Sequence, residues 1–245
     1  MTIAQIGLFI LACLLIGISK GGLGGPLPVS LVVPMLALVM DAKEAVVLIL
    51  PFLIVADWFA LRVYWQKWDL HYIKLLLPLG IVGVVMGALM LSIIPDTMLK
   101  LTIGIFTIIV IVYKLLSDRL SDLSYYPRDW HGYIAGFLSA FTSTLASTGG
   151  PPFAIYMLLQ GITPIKFIAT TTLYFAIINI MKVPIFWQQG LFDFDTLLRV
   201  AWALPIIPIG VWIGRKALTF IDQILFDRIM MGLLIMSVII LFITL

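Results

Sequence analysis

Charge is what this sequence has least of. Only 11% of its 245 residues are Asp, Glu, Lys or Arg, against 62% hydrophobic, and the mean hydropathy is +1.17. A soluble domain carries about 25% charged residues, so a water-facing surface cannot be assembled here and lipid is the solvent for most of the chain. The one cysteine, Cys13, excludes an intrachain disulfide and a cysteine-based metal cluster. The two histidines, His71 and His131, sit far apart without ligand spacing, and the single glutamate, Glu44, falls in a short loop. There is no HExxH, no pair of catalytic acids and no serine–histidine arrangement. The expectation is a protein that is not an enzyme and that holds no metal or cofactor. No run of Lys or Arg is present either, so the net charge of +3 and the isoelectric point near 9.0 read as topology signals and argue against a nucleic-acid partner.

Long apolar runs fill the space that charge leaves. They show no period-two alternation, which excludes a barrel, and only helices satisfy backbone groups within such runs in lipid. Breaks between the runs predict ten helical segments, at 3–18, 26–40, 45–64, 72–94 and 97–116, then 131–145, 152–160, 165–187, 196–218 and 223–245. The first run lacks a basic leader and a small-residue cleavage site, so it reads as a retained helix and not as a signal peptide. The fold expected is all-α, a polytopic transmembrane helix bundle.

Two halves are legible within it. Gly24-Gly25-Pro26 corresponds to Gly149-Gly150-Pro151, and Trp65-Gln66 to Trp187-Gln188. Gly83 and Gly87 correspond to Gly210 and Gly214, and Gly104 to Gly232, in chain order and at offsets between 122 and 128. This predicts an internal duplication: a repeat over 1–116, a polar linker over 117–130 and a second repeat over 131–245. An odd number of crossings per half, whether the short segments cross or re-enter, would make the repeat inverted; fused into one broken span, they would give an even count and a parallel repeat. With ten crossings Lys67, Lys74, Lys114, Arg119, Arg128, Lys166, Arg215 and Lys216 gather on one side. Lys43, Lys100, Lys182 and Arg199 gather on the other. The positive-inside rule then puts the linker in the cytoplasm and both termini outside.

The chemistry is expected where the first two segments of each half meet. These are short, and Lys20, Gly21, Gly22, Gly24 and Gly25 lie between them in the first half, with Ser147, Thr148, Gly149 and Gly150 in the second. Glycine pairs followed by proline break and restart a helix, and a helix N-terminus inside the bilayer attracts an anion. Paired interruptions at matching positions point to a transporter's binding site, although glycines also simply allow close helix packing. Lys20 would supply charge, and Ser143, Thr144, Ser147 and Thr148 hydroxyls for oxyanion oxygens. Asp57 is the only acid deep in a predicted span; it is a proton-coupling candidate or a buried partner for Lys20, Lys182 or Arg62. Its counterpart at an offset of 122 is Asn179. Thr172, Ala176, Asn179 and Lys182 form a small and polar stripe on one helix face.

The segment from Lys20 to Pro26 followed by Val32-Val33-Pro34, and the segment from Ser147 to Leu159, resemble the paired signatures of the sulfite exporter TauE/SafE family, the toluene-sulfonate uptake permeases. The resemblance covers nearly the whole chain. It implies a multi-pass carrier in the cytoplasmic membrane of a prokaryote, with about eight spans and substrates among sulfite and organosulfonates such as sulfoacetate. The expected function is a proton-coupled secondary transporter of a small sulfur-containing anion, working by alternating access. An anion channel, or a carrier for another small organic anion, stays open at this point.

Overall fold

The computed structural model describes residues 3–22, 27–121, 128–191, 194–217 and 223–244. Gly24, Gly25 and residues 122–127 of the linker lie outside these. The chain is an all-α bundle, and its elements are α1 (Ile3–Lys20), α2 (Leu27–Leu36), α3 (Ala42–Leu48), α4 (Leu50–Val63), α5 (Leu70–Ile93) and α6 (Asp96–Ser121). They continue with α7 (Asp129–Ala146), α8 (Gly150–Leu158), α9 (Pro164–Gln188), α10 (Phe194–Ala201), α11 (Ile206–Ala217) and α12 (Gln223–Ile243). Two of the ten predicted segments are each divided, in both cases by proline. Pro51 in the first turn of α4 cannot donate to the carbonyl four residues back, and α3 stops before it. Around Pro205 the chain tightens into three-residue turns, Ala203 N–H to Val200 and Ile207 N–H to Leu204, which separates α10 from α11.

Among the described residues, four stretches are long and apolar enough to cross a membrane: Ala42–Val63, Leu70–Ile93, Asp96–Leu116 and Pro164–Gln188. Large apolar side chains stand exposed along them, among them Val82, Val85, Met86 and Leu89 on α5 and Ile105, Ile108, Ile109 and Val112 on α6. Such a continuous apolar surface is intelligible only against lipid, and the protein is a multi-pass membrane protein.

The short helices behave differently. Near the start of α1 the Gln5 side-chain amide donates to the Val39 carbonyl just beyond α2 (2.7 Å), so α1 and α2 form a hairpin open at one end of the bundle. The same end holds the finish of α5, where the Lys43 ammonium donates to the Ser92 carbonyl (3.0 Å). Helices α7 and α8 form a second hairpin: Gly132 at the start of α7 lies against Tyr156 near the end of α8, and both face the beginning of α5 at Leu75 and Tyr72. The two hairpins therefore open at opposite ends of α5, and their tips meet deep between them.

Glycines set how closely the hairpins are held. A Cβ on Gly17 would lie 2.7 Å from Gly210 Cα, and one on Gly214 would lie 2.5 Å from the Ile18 carbonyl, so α1 and α11 touch backbone to backbone. A Cβ on Gly83 would meet the Phe137 carbonyl at 2.5 Å and one on Gly87 would meet Thr144 at 2.9 Å, and α5 and α7 touch in the same way. The corresponding glycine pairs noticed in the sequence thus perform one task, each receiving a hairpin's first helix. At Gly136 a Cβ would come within 2.0 Å of the Leu76 carbonyl. Gly136→Ala is expected to lower the unfolding midpoint in detergent, at a cost of about 1–3 kcal/mol. Gly7→Ala, where a methyl group meets nothing within 4 Å, should leave the midpoint unchanged; equal midpoints for both variants would refute the close contact.

Candidate functional site

Helix α1 ends at Lys20, where the Gly21 N–H still reaches back to the Gly17 carbonyl (2.8 Å) and Gly22 turns the chain at φ +112°. Helix α7 ends one turn short of its glycines. The residue in the left-handed conformation there is Ser147 (φ +56°), not a glycine. A non-glycine residue in that region is uncommon and costs of order 1–3 kcal/mol. Gly149 is instead required for space: its carbonyl accepts from the Ser139 hydroxyl (2.6 Å), and a Cβ there would fall 2.3 Å from the Ser139 carbonyl and 2.6 Å from Ser143 Cβ. Helix α8 then starts at Gly150, with prolines in its first turn.

The two tips enclose a cavity of about 140 Å³. An engineered cavity of about 150 Å³ accommodates benzene, so this one suits a ligand of only a few heavy atoms. Its polar wall includes Ser19, Lys20, Ser30, Ser143, Ser147, Thr171, Thr172 and Asn179; Leu53, Phe153, Phe167 and Phe175 supply the apolar wall. The first turns of α2 and α8 both border it, through Val29 and Ser30 and through Gly150 and Phe153.

Beneath the polar wall runs a buried chain of charges and amides. The Lys20 ammonium is 2.5 Å from Asp57 Oδ1. Asp57 Oδ2 accepts from Asn179 Nδ2 (2.8 Å), and Asn179 Oδ1 accepts from the Lys182 ammonium (3.1 Å). Lys182 also donates to the Ser143 carbonyl (3.0 Å) and hydroxyl oxygen (2.9 Å). Asp57, Asn179 and Lys182 are only 1%, 3% and 2% exposed. Asp57 lies 15 residues beyond Ala42, and Asn179 lies 15 beyond Pro164. At 1.5 Å per residue each is about 22 Å along its run. Both residues therefore lie inside their runs and not at the ends.

The residues singled out in the sequence divide accordingly. Lys20, Gly22, Ser147, Gly149, Gly150 and Asn179 border one cavity, with Asp57 directly behind it. Gly21 faces away, its Cβ position 2.6 Å from the Val211 carbonyl, and serves helix contact. Thr148 faces a different space, an apolar groove between α6, α7 and α8 lined by Phe106, Leu138 and Ile155. Thr144 bonds back to the Ala140 carbonyl (2.7 Å) within its own helix. Arg62, weighed above as a partner for Asp57, stacks exposed over Trp58 instead. Lys182, counted among the charges that set topology, is buried in the network. Its place on the stripe with Thr172 and Asn179 was the signal of that.

Residues 9–241 match the family described as sulfite exporter TauE/SafE. A protein of Cupriavidus necator named "Probable sulfite/organosulfonate exporter TauE" is 25% identical over 139 residues, which is 55% of this chain and 53% of that protein. The matched region thus spans about half the length of that curated relative. No solved structure matches the chain. With a family match across nearly its full length, on a membrane bundle that holds a small cavity between its hairpin tips, the chain belongs to the sulfite exporter TauE/SafE family of membrane transporters.

Proposed function

We propose that the protein is a secondary carrier of a small sulfur-containing anion, sulfite or an organosulfonate such as sulfoacetate, and that the anion binds where the two hairpin tips meet. The observation that carries this reading is the small cavity bordered by Lys20, by the hydroxyls of Ser143, Ser147 and Thr172, and by the first turns of two short helices. Helix N-termini and hydroxyls suit the oxygens of a sulfonate, and the ammonium supplies attraction. The cavity volume favours few heavy atoms, and the apolar wall of Phe153, Phe167 and Phe175 suits a short carbon substituent.

In this reading the chain is two inverted halves, each one hairpin and three crossings, joined by the linker. The hairpins opening at opposite ends support it, as does the exchange in which α1 packs on α11 while α7 packs on α5. Pivoting of the hairpin-bearing units would expose the cavity to each side in turn. In this reading the linker lies in the cytoplasm of a prokaryotic cell and both termini outside, which the exposed Lys67, Lys74, Arg128 and Lys166 at the linker end support. Coupling to protons runs through the buried network centred on Asp57, the only carboxylate near the cavity among the described residues.

Two measurements test this. Proteoliposomes should take up sulfite or sulfoacetate saturably and faster under an imposed pH gradient. Fast flux that neither saturates nor responds to the gradient would make the protein a channel. Lys20→Met should lower anion affinity at least tenfold, but alone it also removes the direct partner of Asp57, whose charge Lys182 then balances only through Asn179, at a cost in stability. The Lys20→Met, Asp57→Asn double variant is therefore the decisive one: it should regain the stability lost in the single variant and still not bind. Affinity retained in the double variant would remove Lys20 from the site.

A further inference from the structure

Lys182 has no place yet in the carrier reading. Its ammonium contacts three neutral acceptors, the Ser143 carbonyl and hydroxyl and Asn179 Oδ1, and no carboxylate. Among the described residues Asp57 is the only anion in the network, and both of its oxygens are engaged, one by Lys20 and one by the Asn179 amide. The elements packed around Lys182 bring nothing further. Helix α7 presents the uncharged Ser143, and α4 presents Asp57 while its Arg62 stands exposed over Trp58. Helix α5 packs along α9, but its His71 and Lys74 belong to its first turns, beside Asp69 and Lys166. Lys166 is 16 residues before Lys182, or about 24 Å along the helix. Two ammonium groups, Lys182 fully buried and Lys20 at the cavity's edge, therefore share one carboxylate.

An uncompensated charge at this depth is expensive, and that restricts the states the network can occupy. It is neutral when one lysine is deprotonated, or when both are protonated and one negative charge is added nearby. A proton on Asp57 would leave two cations without a counter-ion. Of the two lysines, Lys20 is in direct contact with the carboxylate and Lys182 is not, so Lys182 is the one that can release a proton. As an amine it can accept from the Ser143 hydroxyl. The place for the added negative charge is the cavity: Ser143 and Asn179, which hold the Lys182 nitrogen, border it together with Lys20.

We infer that Lys182 is the coupling-proton site of the carrier: its amine takes up a proton as a monoanion enters the cavity beside Lys20 and releases it as the anion leaves. Asp57 stays ionised throughout as the shared counter-ion. The proton passes from cavity water to Lys182 by way of Ser143. One proton accompanies each monoanion, and binding of either favours binding of the other by the same factor. The inference rests on the carrier reading and assigns the proton within it.

The test uses purified full-length protein and methanesulfonate, a sulfonate that does not itself titrate near neutral pH. Binding is followed in weakly buffered solution with a pH indicator, over a series spanning neutral. Wild-type protein should take up about one proton per anion at the alkaline end, where affinity falls about tenfold per pH unit. Lys182→Arg, which keeps the positive charge permanently, should bind with no proton uptake and with affinity independent of pH. Lys182→Met should bind at least tenfold more weakly and also take up no proton. Wild-type binding without proton uptake, or uptake that persists in Lys182→Arg, overturns the assignment and leaves the carrier standing. If neither methanesulfonate nor sulfite binds the wild type, the carrier reading falls and takes this inference with it.

Discussion

A carboxylate cannot be left alone within a membrane-spanning run, and the arrangement of this bundle follows from how Asp57 is accommodated. One oxygen meets the Lys20 ammonium and the other the Asn179 amide. That single side chain on α4 thereby ties together α1, which ends at Lys20, and α9, which carries Asn179. Lys182 extends the tie to α7 through Ser143. Replacing such a network with apolar side chains of like volume would often cost nothing in stability. Its presence in a bundle otherwise packed with Leu, Ile, Val and Phe is better understood as keeping charge beside the cavity, as the proposed anion site requires.

The glycines and the charges divide the work between them. Gly17, Gly21, Gly210 and Gly214 let α1 lie directly on α11, and Gly83, Gly87 and Gly136 do the same for α7 on α5. Those contacts fix how far each hairpin tip reaches into the bundle. Only at that depth can Lys20 meet Asp57 and Ser143 meet Lys182. Apolar packing sets the positions and the polar network uses them. Neither would be sufficient alone for the proposed site, because a flexible hairpin would let water reach the charges and a rigid apolar one would have nothing with which to hold the proposed oxyanion.

Much of this was legible in the sequence because lipid leaves few alternatives. Runs of this hydropathy must be helices, and the ordered glycine matches marked the contacts that hold the hairpins. The offset of 122 that paired Asp57 with Asn179 picked out two residues that do touch. What escaped was direction within a helix. Thr148 is adjacent to Ser147, yet the left-handed turn at Ser147 sends it into the groove behind α8. Gly21 is adjacent to Lys20 and faces α11. Which of two neighbours meets the cavity depends on a rotation of about 100° per residue, and composition does not carry that. For Lys182 the sequence left two readings open, a topology charge and a buried partner of Asp57: near the end of a long predicted helix, a lysine that snorkels to the surface and one that is buried look alike.

The interlocking of the hairpins also constrains how the chain is made. As it emerges, α1 presents the glycine face of Gly17 and Gly21 long before its partner exists, since Gly210 and Gly214 follow roughly 190 residues later. Lys20 can meet Asp57 early, as both belong to the first quarter of the chain, but the Asn179 amide that completes the carboxylate's shell comes much later. The nascent protein must therefore hold a partly satisfied ion pair and an open backbone groove within the insertion machinery until α11 arrives. Its most vulnerable moment is in synthesis, and the last third of the chain closes the first.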